Sequence, residues 1–279
     1  MTLLASGKVN YDARIARAEL LASRYAFAKE ILGFYARVAR FQKEFYEQLP
    51  GLWSKYPRQP TKGAFRAQLN LAILVEPFRS FVSLMETQGP GPLAAEARTF
   101  AHGSQDKWTK LLEEFWRNGM QQAPENNDAD PLEESLARAF LLPYAEYIVD
   151  GMLPPVLPMT ARRCPRCNSL PLLGVLRPEG DGGKRYLQCS LCSQEWEFRR
   201  IFCARCGEEA DQKLPVYIAE QFPHIRVECC ETCKHFLRTV DLTKDGNAVP
   251  LVDDLAALPL TLWADENGYK RIQTNLLGT

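Results

Sequence analysis

The sequence predicts an α+β protein: an N-terminal all-α domain followed by two tandem β modules, each built around four cysteines. Three observations carry this. Apolar residues recur at steps of three and four through the first half. All nine cysteines lie between Cys164 and Cys233. Eight of these form four Cys-x-x-Cys pairs, with strand-like and turn-like segments between them.

Composition sets the outer bounds. The chain has 279 residues, 46% hydrophobic and 10% aromatic, enough to bury a core and to exclude wholesale disorder. Its 34 basic and 34 acidic residues cancel, which argues against a surface devoted wholly to nucleic acid or anionic membrane. The first residues lack a basic stretch followed by a long apolar run and a cleavage site. The densest apolar run, Leu69 to Val75, is far short of the roughly 20 residues that a spanning helix needs. A cytoplasmic protein without a membrane span is expected, and there thiols stay reduced, so a disulfide framework is not.

From about residue 10 to residue 150 the pattern is helical. Phe27, Ile31, Phe34, Val38, Phe41 and Phe45 stack on one helix face, read as a core stripe, although an exposed aromatic stripe would also suit a homodimer. A second helical segment is expected from about Ala64 to Glu86, broken or kinked at Pro77, and a third from about Leu93 to Gln121. Residues 122–130 are polar and turn-rich, a loop. Asp130, Pro131 and Glu133 then form a helix start with a capping box, for a helix carrying Leu136, Phe140, Tyr144, Tyr147 and Ile148 and bent at Pro143. Gly151 and the prolines at 154, 155 and 158 stop it, so the helical domain is placed at 1–158. His102 is its only histidine, no phosphate-binding or nucleophile motif occurs, and no catalytic constellation is expected anywhere in the chain.

The first β module, 159–201, holds Cys164 and Cys167, then 21 residues, then Cys189 and Cys192. The second, 202–279, holds Cys203 and Cys206, then 23 residues, then Cys230 and Cys233. Each two-residue gap forms a knuckle that points two sulfurs at one ion, and two facing knuckles complete a tetrahedral thiolate shell. Sequential pairing gives two ribbons of similar loop length; a cross-braced pairing, first knuckle with third, stays open. In the first module Leu170 to Leu176 and Tyr186 to Gln188 flank a turn at 178–183, with a third strand about Glu195 to Ile201. The second repeats the plan with Val216 to Glu220, Ile225 to Glu228 and His235 to Asp241. Modules this small need metal for most of their folding free energy. Cys229 is read as a spare thiol, and His224 and His235 as bystanders beside four thiolates. A closed four-sulfur shell leaves no open position for hydrolytic chemistry; it suits zinc, which base rates favour, or a single redox-active iron.

Charge separates the modules. Residues 161–206 carry nine Lys/Arg against four Asp/Glu, a net of +5, and residues 207–279 seven against 12, a net of −5. The positive module, with Tyr186, Trp196 and Phe198, admits a nucleic-acid-binding zinc ribbon. Docking on the acidic neighbour, or balancing thiolate charge, is favoured instead, because the acidic module repels phosphates.

At these cysteines the chain resembles a known family, the formate dehydrogenase accessory protein FdhE. The likeness rests on the segment from Arg163 to Pro171, on Arg185 to Cys192 followed by Glu195 and Trp196, on Cys203 to Cys206, on Glu228 to Cys233 and on Val252 to Leu258. Order and spacing match over about residues 136–270. Cys229 departs from the family pattern, which has no cysteine before that knuckle. The resemblance implies a cytoplasmic accessory factor required for active respiratory formate dehydrogenase. It implies a partner too, the catalytic molybdenum/selenocysteine subunit, exported folded by the twin-arginine route. It further implies rubredoxin-like iron in two sites, on Cys164, Cys167, Cys189 and Cys192 and on Cys203, Cys206, Cys230 and Cys233.

Overall fold

The computed structural model describes residues 9–55, 65–121, 130–152, 158–179 and 183–276. The expected loop at 122–129 and the prolines at 154 and 155 lie outside them. Among the described residues the helical half contains six α-helices: α1 (Tyr11–Arg24), α2 (Lys29–Lys55), α3 (Val75–Gln88), α4 (Gly91–Ala101), α5 (Gln105–Asn118) and α6 (Pro131–Asp150). No described helix is long and apolar enough to cross a membrane.

Local chemistry explains where these helices depart from the sequence pattern. The Asn10 side chain caps α1 by accepting from the Ala13 N–H at 2.9 Å. α1 ends at Tyr25, so Phe27 falls in a short 3₁₀ turn outside α2 and stays 49% exposed. Phe34, Val38 and Phe45 of the expected stripe are buried and Ile31 and Phe41 are partly so, packed against the core. Five of the six stripe residues therefore pack inside the chain, and Phe27 stays exposed. Pro77 neither breaks nor kinks the second segment. The interruption comes earlier, in 3₁₀ turns at Phe65–Gln68 and Leu71–Ile73, and Pro77 sits in the first turn of α3, where its missing N–H is not needed. The third segment is two helices, because Ser104 caps α5 through the Lys107 N–H and ends the run at His102, which is exposed. Asp130 caps α6 as expected, accepting from the Leu132 and Glu133 N–H groups at 2.8 and 3.3 Å. Glu133 instead lies 3.6 Å from Lys107. α6 continues through Pro143 and is buried along most of its length, the central helix of the domain.

The C-terminal half is one seven-stranded sheet rather than two free ribbons. Its strands are β1 (Pro171–Arg177), β2 (Lys184–Cys189), β3 (Glu195–Glu197), β4 (Val216–Ile218), β5 (Ile225–Cys230), β6 (His235–Asp241) and β7 (Lys270–Arg271). The order is β3-β2-β1-β6-β5-β4, with β7 beside β6. Each four-cysteine half supplies an antiparallel meander, and a parallel β1–β6 pairing joins them at Gly174↔Thr239. A Cβ on Gly174 would meet Thr239 Oγ1 at 2.2 Å, so glycine is what lets the halves join. Helices α7 (Pro250–Ala256) and α8 (Leu258–Glu266) follow β6, and one continuous apolar core runs from α1 through the sheet to Leu276. Burial in that shared core means that the small modules do not depend on metal alone.

Buried ions fasten the layers. Asp254 of α7 is fully buried between Arg238 of β6 and Arg271 of β7, at 2.8 and 2.7 Å. Burial pushes its carboxyl up, but the two guanidiniums outweigh that and hold it below the ordinary carboxylate range. A depressed native pKa contributes stability that is present above the unfolded value and lost as pH falls through the native one. Asp254→Asn leaves two cations without their counter-ion and is expected to cost about 3–5 kcal/mol at neutral pH. Urea unfolding at pH 7 and at pH 3 checks this: the deficit should shrink at the lower pH.

Candidate metal centres

The structure brings the eight cysteines together as two tetrads, with sequential pairing of the knuckles. Cys164, Cys167, Cys189 and Cys192 form one and Cys203, Cys206, Cys230 and Cys233 the other; in each, all sulfurs lie within 4.8 Å of one another. The cross-braced alternative is thereby removed. In the first tetrad Cys164–Cys192, Cys167–Cys189 and Cys167–Cys192 are 3.6, 3.3 and 3.8 Å apart. In the second, Cys203–Cys233 and Cys206–Cys230 are 3.8 and 3.7 Å apart. Bonds of about 2.3 Å to a central ion in a tetrahedron require sulfurs about 3.8 Å apart. The donor sets thus fit a thiophilic ion of zinc or ferrous size, and two ions could be held.

The knuckles share a backbone device that spacing alone did not reveal. The residue after the second cysteine is left-handed in all four: Asn168, Ser193, Gly207 and Lys234 have φ of 61°, 53°, 86° and 55°. That turn lets the first cysteine's N–H reach the carbonyl five residues on: Cys164 to Ser169, Cys189 to Gln194 and Cys203 to Glu208, at 2.8–2.9 Å. It also turns amides onto sulfur. The Leu191 and Cys192 N–H groups donate to Cys189 Sγ at 3.3 and 3.5 Å, and those of Arg205 and Cys206 to Cys203 Sγ at the same distances. Asn168 and Gly207 were the legible half of this signal, since both residue types accept positive φ; Ser193 and Lys234 gave none.

The sulfurs within a tetrad cannot all ionise without a cation. In the second, hydrogen bonding from Cys233 draws Cys203 down to about 4, while the same contact drives Cys233 well above the thiol range. In the first, burial raises Cys167, but its three cysteine neighbours outweigh this and hold it well below the ordinary thiol value; burial drives Cys189 and Cys192 well above it. One thiolate shared among thiols is what such a donor set does alone, and a divalent ion is what releases the remaining protons.

The tetrads differ in their surroundings. All four cysteines of the first are buried, whereas Cys206 of the second is exposed and Cys233 half-buried. Two arginines of the helical half reach the first tetrad's backbone. Arg66 donates to the carbonyls of Cys167, Gly119 and Trp116 and to Ser169 Oγ, at 3.1 Å for Cys167 and 2.9 Å for Ser169. Arg138, from α6, donates to Ser190 O at 3.0 Å and to Asn275 O at 2.6 Å. Sequence reasoning missed both. A charged residue on the otherwise apolar stretch from Leu136 to Phe140 was a usable signal for Arg138; Arg66 had none.

The remaining residues singled out by sequence resolve as follows. Cys229 is buried outside the tetrad, and burial with the nearby Glu231 and Cys230 pushes its thiol up to about 12, which disfavours the thiolate. His224 hydrogen-bonds Asp253 at 2.9 Å, with Asp245 nearby. Arg17 reaches both carboxylates, at 2.7 Å for Asp245 and 2.5 Å for Asp253, so this group already has its cation. Tyr186, Trp196 and Phe198 are 4%, 6% and 2% exposed and offer no stacking face to a base. Part of the basic excess of the first module is used internally: Arg185 pairs with Glu228 and Arg199 with Glu209 of the acidic module.

Residues 163–200 match the family model described as FdhE, central domain, and residues 187–277 match that of FdhE, C-terminal domain. A Protein FdhE homolog of Aquifex aeolicus is 24% identical over 275 residues, covering 94% of this chain and 93% of that one. One from Pectobacterium carotovorum is 26% identical over 283 residues, covering 98% and 88%. With one from Pseudomonas putida the likeness is 38% over 122 residues, 41% of this chain and 38% of that one. The crystal structure of the FdhE protein from Pseudomonas aeruginosa superposes with a TM-score of 0.72, at 22% identity and over 97% of each chain, so the two share a fold.

Two outcomes test the geometry. Ser193→Gly removes the left-handed strain and a hydroxyl buried without a partner, and is expected to stabilise the protein by about 0.5–1 kcal/mol in thermal melts. A soluble chelator is expected to strip metal-loaded protein in two phases followed by absorbance, the fast phase disappearing in Cys206→Ser.

Proposed function

The chain belongs to the FdhE family, and from that premise we propose that it is a cytoplasmic, non-catalytic accessory factor in the maturation of active respiratory formate dehydrogenase. It binds the catalytic subunit of that enzyme. Cys164, Cys167, Cys189 and Cys192 hold one metal ion and Cys203, Cys206, Cys230 and Cys233 a second. Iron is the ion in the rubredoxin-like reading, with zinc the alternative. Residues 1–158 form the body, and 159–201 and 202–279 are its two metal-bearing modules.

The observation that carries this reading is the unequal burial of the tetrads. A centre enclosed on all sides and clamped by Arg66 and Arg138 is suited to stability. A centre with one exposed cysteine is suited to meeting another protein. Bound iron would add one-electron chemistry at that surface, and zinc would not. What the chain itself supplies is positioning: amides directed at Cys203 Sγ, a rigid sheet behind it, and open solvent in front of Cys206. The zinc-ribbon nucleic-acid reading lacks comparable support, since its aromatics are buried.

Affinity purification of the tagged chain from formate-respiring cells tests the proposal. The catalytic subunit should co-purify with wild type and be lost when Cys203 and Cys206 are both serine, with formate oxidation lost in parallel. Cys164→Ala should lower the yield of folded protein as well, because it opens the buried centre. Recovery of nucleic acid alone, or normal formate oxidation with the double serine variant, would overturn it.

A further inference from the structure

The outermost strand on the acidic side of the sheet is short, apolar and open. Among the described residues β4 pairs only with β5, and Val216, Tyr217 and Ile218 are 52%, 39% and 60% exposed. The Cys229 N–H donates to the Pro215 carbonyl at 2.9 Å, which makes those two residues a hydrogen-bonded pair. Alternation along an antiparallel ladder makes Tyr217 and Val227 the next such pair. The N–H and C=O groups of Val216 and Ile218 therefore point away from β5. Proteins usually blunt such an edge with lysine, proline or a bulge, and β4 carries none of these within its three residues.

Both faces of this edge carry exposed apolar side chains. Val216 and Ile218 project on the side of Glu228 and Arg226. There a pocket of about 150 Å³ lies beside the second tetrad, its lining including Val216, Ile201, Phe202, Leu237 and Cys203. Ile201 is 47% exposed. On the opposite face Tyr217 packs at a tilt against Trp263 of α8 with ring centroids 4.7 Å apart, and the neighbouring Leu262 is 64% exposed.

Charge identifies the occupant. Of the basic residues around the pocket, Arg185 pairs with Glu228 and Arg226 with Asp241 at 2.5 Å, Arg200 donates to the Gly183 carbonyl at 2.5 Å, and Lys213 lies 3.6 Å from Glu208. Asp211 and Glu220, which bracket β4, and Asp265 and Glu266, which follow Trp263, have no ion-pair partner among the described residues. The uncompensated charge at this edge is negative. A second copy of the chain would bring the same carboxylates against themselves, and like charges across an interface oppose association.

We propose that β4 is the docking edge for an extended segment of a partner polypeptide, which adds to the sheet as a strand, seats one apolar side chain in the pocket beside Cys203 and carries Lys or Arg at its ends. Main-chain hydrogen bonds to Val216 and Ile218 supply affinity, and the pocket and the carboxylates supply selectivity. The inference rests on the reading that this chain binds a client, and it assigns the surface that does so.

Ile218→Pro separates edge pairing from folding. Its N–H faces solvent, and proline is tolerated at such edge positions. A phage-displayed library of random peptides of about twelve residues is panned on the full-length wild-type protein and depleted on Ile218→Pro. Enrichment of sequences alternating apolar and polar residues with Lys or Arg at the ends is expected. A synthetic copy of an enriched peptide should bind Ile218→Pro and Ile201→Asp at least about tenfold more weakly than wild type, with all three proteins melting together. Absence of differential enrichment, or enrichment of acidic or helix-periodic peptides, would overturn the proposal. So would a wild-type dimer that Ile218→Pro converts to monomer, since the edge would then belong to a second copy. If the peptide experiment fails while the double serine variant still loses the catalytic subunit, the docking edge falls and the functional reading stands. If peptides behave as expected but no catalytic subunit is recovered, the edge stands and its client is another protein.

Discussion

The architecture depends on two guanidinium groups that leave the helical half and end on the backbone of the first cysteine tetrad. Arg138 is buried and Arg66 partly so, and burial lowers both from the usual arginine range, to about 10 for Arg138. Four sulfurs around a divalent ion carry a net charge of about −2, which is expensive to enclose without neighbouring cations. Arg66 lies close enough to feel all four cysteines, and Arg166 feels Cys164 and Cys192. The arginines thus do two things at once. They offset the charge of the centre and satisfy the carbonyl groups of the knuckle backbone.

That constraint accounts for the inequality of the two halves. Their meanders are built on one plan, with a left-handed residue after each knuckle, yet it is the first tetrad whose knuckle backbone is held by Arg66 and Arg138 of the helical half. The second half is joined through the parallel strand pair at Gly174 and through Arg17 on Asp253, with Cys206 left in solvent. Duplicate local structure has therefore been given two environments, one closed and one open.

Much of this was legible in the sequence because metal knuckles and caps are local. Cys-x-x-Cys spacing located all eight tetrad residues, and turn residues with alternating apolar positions found β1, β2, β5 and β6 to within two residues or so. Asp130 was a readable cap for the same reason. What escaped was long-range. Nothing near Gly174 announces a parallel partner at Thr239, so the modules read as separate ribbons. Phe27 fitted the stripe by spacing, but the chain breaks at Tyr25 and the periodic argument stops at that break. Tyr186, Trp196 and Phe198 looked available to nucleic acid only because burial is a tertiary property.

The pairing of Arg17 with Asp253 closes a loop of 236 residues, tying the first helix to one of the last. Ribosomes add about 5–20 residues per second, so α1 waits on the order of ten to fifty seconds before its counter-ion exists. During that interval the nascent helix holds Arg17 without the α7 carboxylate that finally pairs with it. A stop codon anywhere upstream of α7 removes the lock on the protein's first helix as well as its own tail.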